Sequence, residues 1–534
     1  MFISSNKFQW LTLLFCVMLV SRCARTQGTQ IMTFHSVSQL VTLDVTVLDR
    51  AGHPVTDLSS NDFQIYESGT KRPINSFEPF NEHLLPQALS KDSIHGIEDV
   101  QHLLPGAPLE MIVLDELNTA FSDTAFARNS IKKYLLHQPE RLAAPTSFLV
   151  CTDTGFQQIH GFTLSRQELL DALSHLPAAY PFQLMRTGGS GEGRSVRFAQ
   201  TLASLQQIAQ ANTGHHGRTN VLWIGRGFQS IDLRDMTNTE IRMLKNAAER
   251  TINLLREANA VLYTIDPALT SSIAGASGQI GKEDSDAFTA EVSNARDPFE
   301  STISFNSIAP QTGGTTISMN NAIDEEIENS LHRGLLYYSL SFVPSPIADP
   351  EHPYRGITVK VNRPGVQVIT RKGYYAISSP PPAHTVRENL RAAGFDIGTA
   401  ITSRISFTGL GMLAGRYGSD QYLLQVNTGD IDWEAETDGT ATAHLLAVAV
   451  ALDAKGKPLD KAVQEINARV PPDKSPDSIP FTTIHITLAV PKAAETIRIV
   501  VRDMRTGRMG SAGFNVSEDQ GPAMQTKNNK SRKQ

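Results

Sequence analysis

Residues 40–48, "LVTLDVTVL", alternate between apolar and polar side chains. Val41, Leu43, Val45 and Val47 share one face, and Thr42, Asp44 and Thr46 share the other. A period of two marks a half-buried antiparallel strand, and the turn at Gly52 and Pro54 ends it. "DFQIYESG" repeats the pattern with Phe63 and Ile65, and "INSFEPF" adds another strand. Near residue 108 the rhythm changes. "LEMIVLD" is continuously apolar, as expected of a strand covered on both faces. Ala127, Ile131, Tyr134 and Leu135 then follow helical spacing. Strand "TSFLVCT" and the segment "FQQIHGFT" come next. The glycine-rich loop "RTGGSGEGR" leads into a helix carrying Phe198, Leu202, Leu205 and Ile208. Strand "NVLWIG" precedes a helix with Ile241, Leu244, Ala248, Ile252 and Leu255 on one face, and strand "AVLYTID" follows it. A Ser/Gly/Ala-rich stretch over about 270–300 reads as a loop, and a short helix with Ile323, Ile327 and Leu331 follows "TGGTTIS".

Strand and helix alternate throughout 108–334. This predicts a mostly parallel sheet with helices on both faces, a doubly wound α/β domain whose ligands gather at the carboxyl ends of the strands. Asp115, Gly225 and Asp266 sit at such ends. From residue 335 the period of two returns in "GLLYYSLSFVPS", "RGITVKVN" and "VQVITRKGYYA". It returns again at Ile484, Ile486, Leu488 and Val490, and at Ile497, Ile499 and Val501. Strands 35–80 and 335–376 need partners, so the α/β domain is expected to be inserted in a β-sandwich that they form together. The expected order is a signal peptide over 1–26, a β-sandwich-like domain from 30–82 and 335–378, and an α/β domain over 105–334. A Pro-rich linker and short helix (379–394), a second β-sandwich-like domain (395–517) and a disordered tail (518–534) complete it.

One phrase recurs. "LDRAGHPV" (48–55) and "LDAKGKPL" (452–459) share L-D-x-x-G-x-P and an aliphatic residue, and "VRDMRTGRMG" (501–510) is a looser copy. The expected content is a strand end, a tight turn using Gly, and Pro entering an edge, not a binding motif.

Composition narrows the function classes. The chain has 534 residues, 40% hydrophobic and 19% charged, with a formal net charge of −6. That composition supports real cores and carries no basic footprint, so nucleic acid is not an expected partner. The amino terminus pairs Lys7 with an apolar run from Phe8 to Val20 and then small and polar residues, a secretory pattern too short for a confident membrane span. Ser21 and Cys23 suit cleavage before Ala24, and lipidation at Cys23 or retention as an anchor are the alternatives. The protein is therefore expected to be exported, to the periplasm, cell surface or medium, with no further membrane span. Of three cysteines, Cys16 and Cys23 lie in or beside this segment, which leaves only Cys151, in a buried strand, and no disulfide framework.

The stretches "VTLDVTVLDRAGHPVTDLSSNDFQIYESG", "IVLDELNT", "NVLWIGRGF", "VLYTIDP", "QTGG" and "GYYA", in this order over 35–376, resemble a von Willebrand factor A-type domain. More narrowly they resemble the secreted bacterial "VWFA-related" proteins of the Acidobacteria type. The resemblance implies an A-type, Rossmann-like domain whose strand ends hold a divalent cation such as Mg²⁺ through D-x-S-x-S and a threonine and an aspartate from other loops. Mg²⁺ takes oxygen ligands in an octahedron and leaves a position for an acidic group of the partner. Asp115 matches the aspartate and Thr119 stands for the second serine. Leu117 replaces the first serine and cannot ligate, and Asn118 offers an oxygen one position out of register. Gly225 replaces the distal acid, followed by Arg226, whose guanidinium would disfavour or replace a cation. The third loop offers Thr187, Ser190 and Ser195, none fixed by spacing. The readings left open are a working cation site at Asp115, Thr119 and Asn118, a degenerate metal-free site, and purely structural use of Asp115 and Thr119.

"GGSGEGRS" lacks the Gly-Lys-Ser/Thr of a phosphate loop and is expected to be a plain loop, and the pair His215–His216 a surface turn. No nucleophile and base stand at a diagnostic spacing. The expected function is a non-enzymatic, adhesion-type or protein-binding role for an unidentified protein partner at Asp115, Thr119, Gly225 and Arg226. An exported hydrolase and a structural component of a surface assembly are the alternatives.

Overall fold

The computed structural model describes residues 40–516 except 81–84, 86–88, 105, 154, 178–190, 235, 269–296, 319–321, 346–353, 377–385, 404, 419 and 437. The expected signal peptide with Cys16 and Cys23, Thr187 and Ser190, most of the 270–300 loop, most of the Pro-rich linker and the tail lie outside the described residues.

The chain opens with β1 (Val41–Leu48), β2 (Phe63–Glu67), β3 (Thr70–Arg72) and β4 (Ser76–Glu78). Then come α1 (Ile97–Leu103), β5 (Leu109–Asp115), α2 (Phe121–His137), β6 (Arg141–Thr152), β7 (Gly155–Ser165), α3 (Arg166–His175) and α4 (Gly191–Asn212). Next are β8 (Thr219–Ile224), β9 (Ile231–Asp232), α5 (Asn238–Glu257), β10 (Ala260–Ile265), β11 (Thr302–Ile303), α6 (Ile308–Thr312), β12 (Thr316–Ile317) and α7 (Ile323–Leu335). The strands β13 (Tyr338–Phe342), β14 (Tyr354–Val361), β15 (Gln367–Ile369) and β16 (Gly373–Tyr375) lead to α8 (Val386–Thr402). The rest is β17 (Met412–Arg416), β18 (Gln421–Asn427), β19 (Glu434–Ala435), β20 (Ala441–Leu452), β21 (Pro458–Val470), β22 (Phe481–Thr487), β23 (Thr496–Asp503) and β24 (Met509–Asn515).

The fold is mixed α/β with several sheets. The central one has the order β12-β10-β8-β5-β6-β7. Its pairs are parallel except β6–β7, so "FQQIHGFT" forms an antiparallel edge rather than another crossover. The helical spacings fall where expected. Ala127, Ile131, Tyr134 and Leu135 of α2 and Ile323, Ile327 and Leu331 of α7 pack on one face of this sheet. Phe198, Leu202, Leu205 and Ile208 of α4, with Ala248, Ile252 and Leu255 of α5, pack on the other. A capping box between Thr237 and Glu240 starts α5. Helix α8 extends to Thr402, beyond the short piece expected to end near residue 394.

Strands from the two sides of this layer pair with each other. β1 lies antiparallel to β13 and to β15, and β14 lies antiparallel to β2. The resulting four-stranded sheets, β15-β1-β13-β4 and β16-β14-β2-β3, enclose a core of Leu43, Val45, Ile65, Leu340 and Phe342. Glu67 ties the second sheet, accepting from Arg72 Nε at 2.8 Å, Arg355 Nη1 at 3.2 Å, Tyr374 Oη at 2.5 Å and Ser345 Oγ at 2.6 Å. β1 differs from the half-buried strand expected, because Asp44 and Thr46 are also buried. Asp44 Oδ2 lies 3.9 Å from Arg218 Nε, and Thr46 Oγ1 donates to Arg333 O at 3.2 Å. Arg218 in turn bonds Asn220 Oδ1 at 2.9 Å and Tyr263 Oη at 2.6 Å. The polar face of β1 is therefore the seam with the central sheet.

The recurring phrase is the same turn at Asp49 and Asp453, and a turn one residue longer at Asp503, closed by Asp503 N–H to Arg508 O rather than to the fourth residue on. Asp49 Oδ1 accepts the N–H of Ala51 and His53, Asp453 Oδ1 those of Lys455 and Lys457, and Asp503 Oδ1 those of Arg505 and Thr506. Gly52, Gly456 and Gly507 supply the positive φ (86°, 75° and 78°) that the turn requires.

Glu110 lies inside β5, buried between the helical layers, and accepts one hydrogen bond from Thr146 Oγ1 at 3.2 Å. Burial pushes its carboxyl up to about 7, and the Thr146 bond offsets only part of that. The folded state then holds this proton more tightly than the unfolded chain, where the value is 4.5. Its contribution is fully present below the unfolded value and is lost as pH rises through about 7. Glu110→Gln removes this loss. Its stability relative to the parent protein, measured by urea unfolding, should rise between about pH 5 and pH 8 by roughly 2–3 kcal/mol.

Candidate functional site

β5 delivers Asp115, with no exposed surface, to the carboxyl end of the central sheet. The chain then turns back on that carboxylate. Leu117 N–H and Asn118 N–H donate to Asp115 Oδ1 at 3.1 and 3.0 Å, an Asx turn. Asn118 Nδ2 lies 3.2 and 3.1 Å from the two carboxylate oxygens and 3.0 Å from Thr201 Oγ1 on α4. Oδ2 also accepts from the Trp223 indole at 3.1 Å and from Gly227 N–H at 3.0 Å. All of these are N–H groups that can only donate. Burial raises the Asp115 carboxyl above its ordinary value, and the bonds from Asn118, Trp223 and Gly227 offset part of the rise.

The loop after β8 closes over the site. Gly225 has φ +153°, and a Cβ there would stand 2.3 Å from Asp115 Cβ and 2.7 Å from Thr119 Oγ1. Gly227 has φ +62°, and a Cβ there would meet the Phe305 ring at 2.1 Å. Both glycines are therefore required by close approach. Gly225 N–H donates to Ile265 O at 2.9 Å, and Arg226 N–H to Thr119 Oγ1 at 3.2 Å, so the ends of β5, β8 and β10 are laced together. The Arg226 side chain turns outward to Asp266, Nε to Oδ1 3.4 Å, rather than to Asp115. Glu116, next to Asp115, is buried with Oε1 unpartnered. Burial pushes its carboxyl up to about 7; Arg128 opposes the rise and Asp115 adds to it.

A divalent cation does not fit these residues. Both oxygens of Asp115 face protein N–H groups, Asn118 turns its amide nitrogen to the carboxylate, Leu117 carries no ligand atom, and a side chain at 225 has no space. Among the described residues no group of three or more His, Cys, Asp and Glu is arranged to hold a metal. Ser195 lies on α4, whose first turns begin at Gly191, so the second half of "GGSGEGRS" is helix rather than the loop expected. The adjacent histidines also part from expectation. His216 is exposed, but His215 is buried, bonds Ala107 O through Nε2 at 2.7 Å, and has its pKa lowered to about 4 by burial. Cys151 is buried, as expected of a strand residue. The sequence reading missed Trp223, Gly227, Thr201 and Glu116. Only the glycine pair in "IGRGF" signalled a close approach.

What remains accessible at this end is a rim. Phe121 is 42% exposed, Ser122, Gln229 and Ser230 are exposed, and the exposed Arg226 lies against Asp266.

No family model and no curated protein sequence matches the chain. Among solved structures it is similar to proximal thread matrix protein 1 from the mussel byssus, at 8% identity and a TM-score of 0.25, covering 43% of this chain and 48% of that one. A second structure of the mussel protein gives 9% identity and a TM-score of 0.26, covering 45% and 48%. The SpRpn10 VWA domain gives 10% and 0.21, covering 40% and 87%. The chain thus spans about half the length of the mussel protein, and similarity this slight assigns no activity.

The geometry predicts two costly substitutions. Gly225→Ala forces a Cβ onto Asp115 at a strained φ and should lower the unfolding free energy by about 2–4 kcal/mol. Asp115→Asn sets an NH₂ group against N–H donors and should cost roughly 1–3 kcal/mol for each acceptor lost. Denaturant unfolding checks both, and a change below experimental error in either would contradict this latch, the closing of the turn after β5 and the loop after β8 on Asp115.

Proposed function

We propose that this protein is an exported, non-enzymatic protein-binding or adhesion-type protein with a degenerate, metal-free von Willebrand A-type face. The observation that carries the proposal is the saturation of Asp115 by five donor groups of the chain itself. In place of a cation, this supports a pinned platform that presents Phe121, Arg226 and Asp266 to a partner. Arg226 supplies a planar cation suited to a carboxylate, and Phe121 an exposed apolar contact. The parallel central sheet with one antiparallel edge supports the A-type reading. The pairing of β1 with β13 and of β2 with β14 supports an α/β domain inserted in a sandwich. Export rests on the amino-terminal pattern.

One observation favours the alternative, an exported hydrolase. A groove of about 320 Å³ along α5 is lined by Asn246, Glu249, Asn253 and Glu257, and burial together with Asp297 raises Glu249 to about 7. Asp297, however, is bonded by Tyr375 Oη at 2.8 Å, Phe299 N at 2.9 Å and Lys245 Nζ at 3.4 Å, which suits a structural acceptor better than a nucleophile.

Calorimetric titration of Mg²⁺ and Mn²⁺ into the full chain should give no saturable heat. Saturable binding lost in Asp115→Asn would overturn the metal-free reading. Partner capture from the envelope and secreted fractions of the source cells should survive EDTA and drop at least about tenfold with Arg226→Glu, a charge reversal at a contact. Capture unchanged by that variant would place recognition on another face.

A further inference from the structure

The carboxyl-terminal sheet has one edge that is partly covered and, among the described residues, one that is open. At β24, Ser511 N–H bonds Phe407 O and Leu410 N–H bonds Met509 O, so the segment before β17 covers the start of that edge. At the other end lies β21. It pairs with β20 in one register from Ala441↔Val470 to Ala451↔Asp460, while β20 pairs with β23 on its other side. Among the described residues no strand pairs with the outer edge of β21. At thirteen residues it is the longest described strand, and most of it is exposed. Ala462, Ile466 and Ala468 pack against the core of this region. Leu459, Lys461, Val463 and Glu465 alternate with them on the outer face, with Val463 59% and Leu459 38% exposed.

An edge of this length is a template for another strand, and natural edges of this kind are blunted or used. We propose that β21 pairs antiparallel with β21 of a second copy of this chain, about a two-fold axis at Val463, joining the two sheets into one. Opposite charges around an apolar centre select the occupant and the register; centring on Asn467 also sets Glu465 against Arg469, but around a polar residue and over 464–470 alone. With Val463 opposite Val463 of the second copy, Lys461 of each chain faces Glu465 of the other, giving two symmetric ion pairs around an apolar centre. Centring on Gln464 sets Lys461 against Asn467 and Val463 against Glu465. Centring on Glu465 sets Glu465 against Glu465 and Lys461 against Arg469. Among the described residues Glu465 has one ion-pair neighbour, His444 Nε2 at 4.0 Å, and its side chain is 65% exposed, so it is available to the second copy. This inference is independent of the strand-end face of the α/β layer.

The test is sedimentation equilibrium of the full chain with charge-reversed variants. These substitutions lie on an exposed face, and circular dichroism verifies that each variant is folded. The wild-type protein should form a dimer. Lys461→Glu and Glu465→Lys should each raise its dissociation constant at least about tenfold, because each sets like charges opposite one another twice. An equimolar mixture of the two variants should restore dimers, since the mixed pair regains both ion pairs, and the double swap in one chain should do the same. A monomeric wild type, a dimer indifferent to both reversals, or failure of the mixture to reassociate would each overturn the proposal.

Discussion

A carboxylate buried at the end of a parallel strand must be bonded by something, and at Asp115 that partner is the chain itself. The turn after β5 supplies two backbone N–H groups and one amide, and the strand and loop beside it supply an indole and a further backbone N–H. A buried anion left unpaired would cost several kcal/mol, on the order of the net stability of a domain. The loop at Gly225–Gly227 therefore has to lie close against Asp115, and closeness of that kind excludes any side chain at 225. The end of β8, the turn before α2 and the end of β10 are set by this one requirement.

The same economy of polar groups appears at the opposite seam. Asp44 on β1 meets Arg218, which reaches Asn220 and Tyr263 across the central sheet. A buried ion pair adds little net stability but punishes any arrangement that separates its members, so it specifies how the small sheets seat against the α/β layer. One seam and one latch thus tie the elements of the α/β layer together, and the accessible chemistry lies on the rim, at Phe121, Arg226 and Asp266, and along the edge of β21.

Much of this was legible in the sequence because periodicity reports burial directly. The helical spacings at Ala127, Phe198, Ala248 and Ile323 and the alternation at Val41 each named a core face that packs as read. The recurring L-D-x-x-G phrase was legible as turn chemistry because Asp and Gly act over a few residues. What stayed hidden depends on distant partners. Asp44 read as a solvent-facing residue because Arg218, far along the chain, was needed to explain its burial. Asp115 read as a candidate ligand because sequence shows a carboxylate at a strand end but not which donors reach it. The Trp223 indole gave no local signal, and His215 read as a surface residue until the carbonyl of Ala107 came within reach.

The most direct test of the latch is hydrogen exchange by NMR at the Trp223 indole and the Gly227 amide, with and without excess Mg²⁺. If Asp115 is held by the chain, both protons exchange only slowly, and the cation changes neither rate nor shift. Fast exchange at both positions, or a Mg²⁺-induced shift centred on them, would show that the carboxylate is open to a cation and would contradict the account.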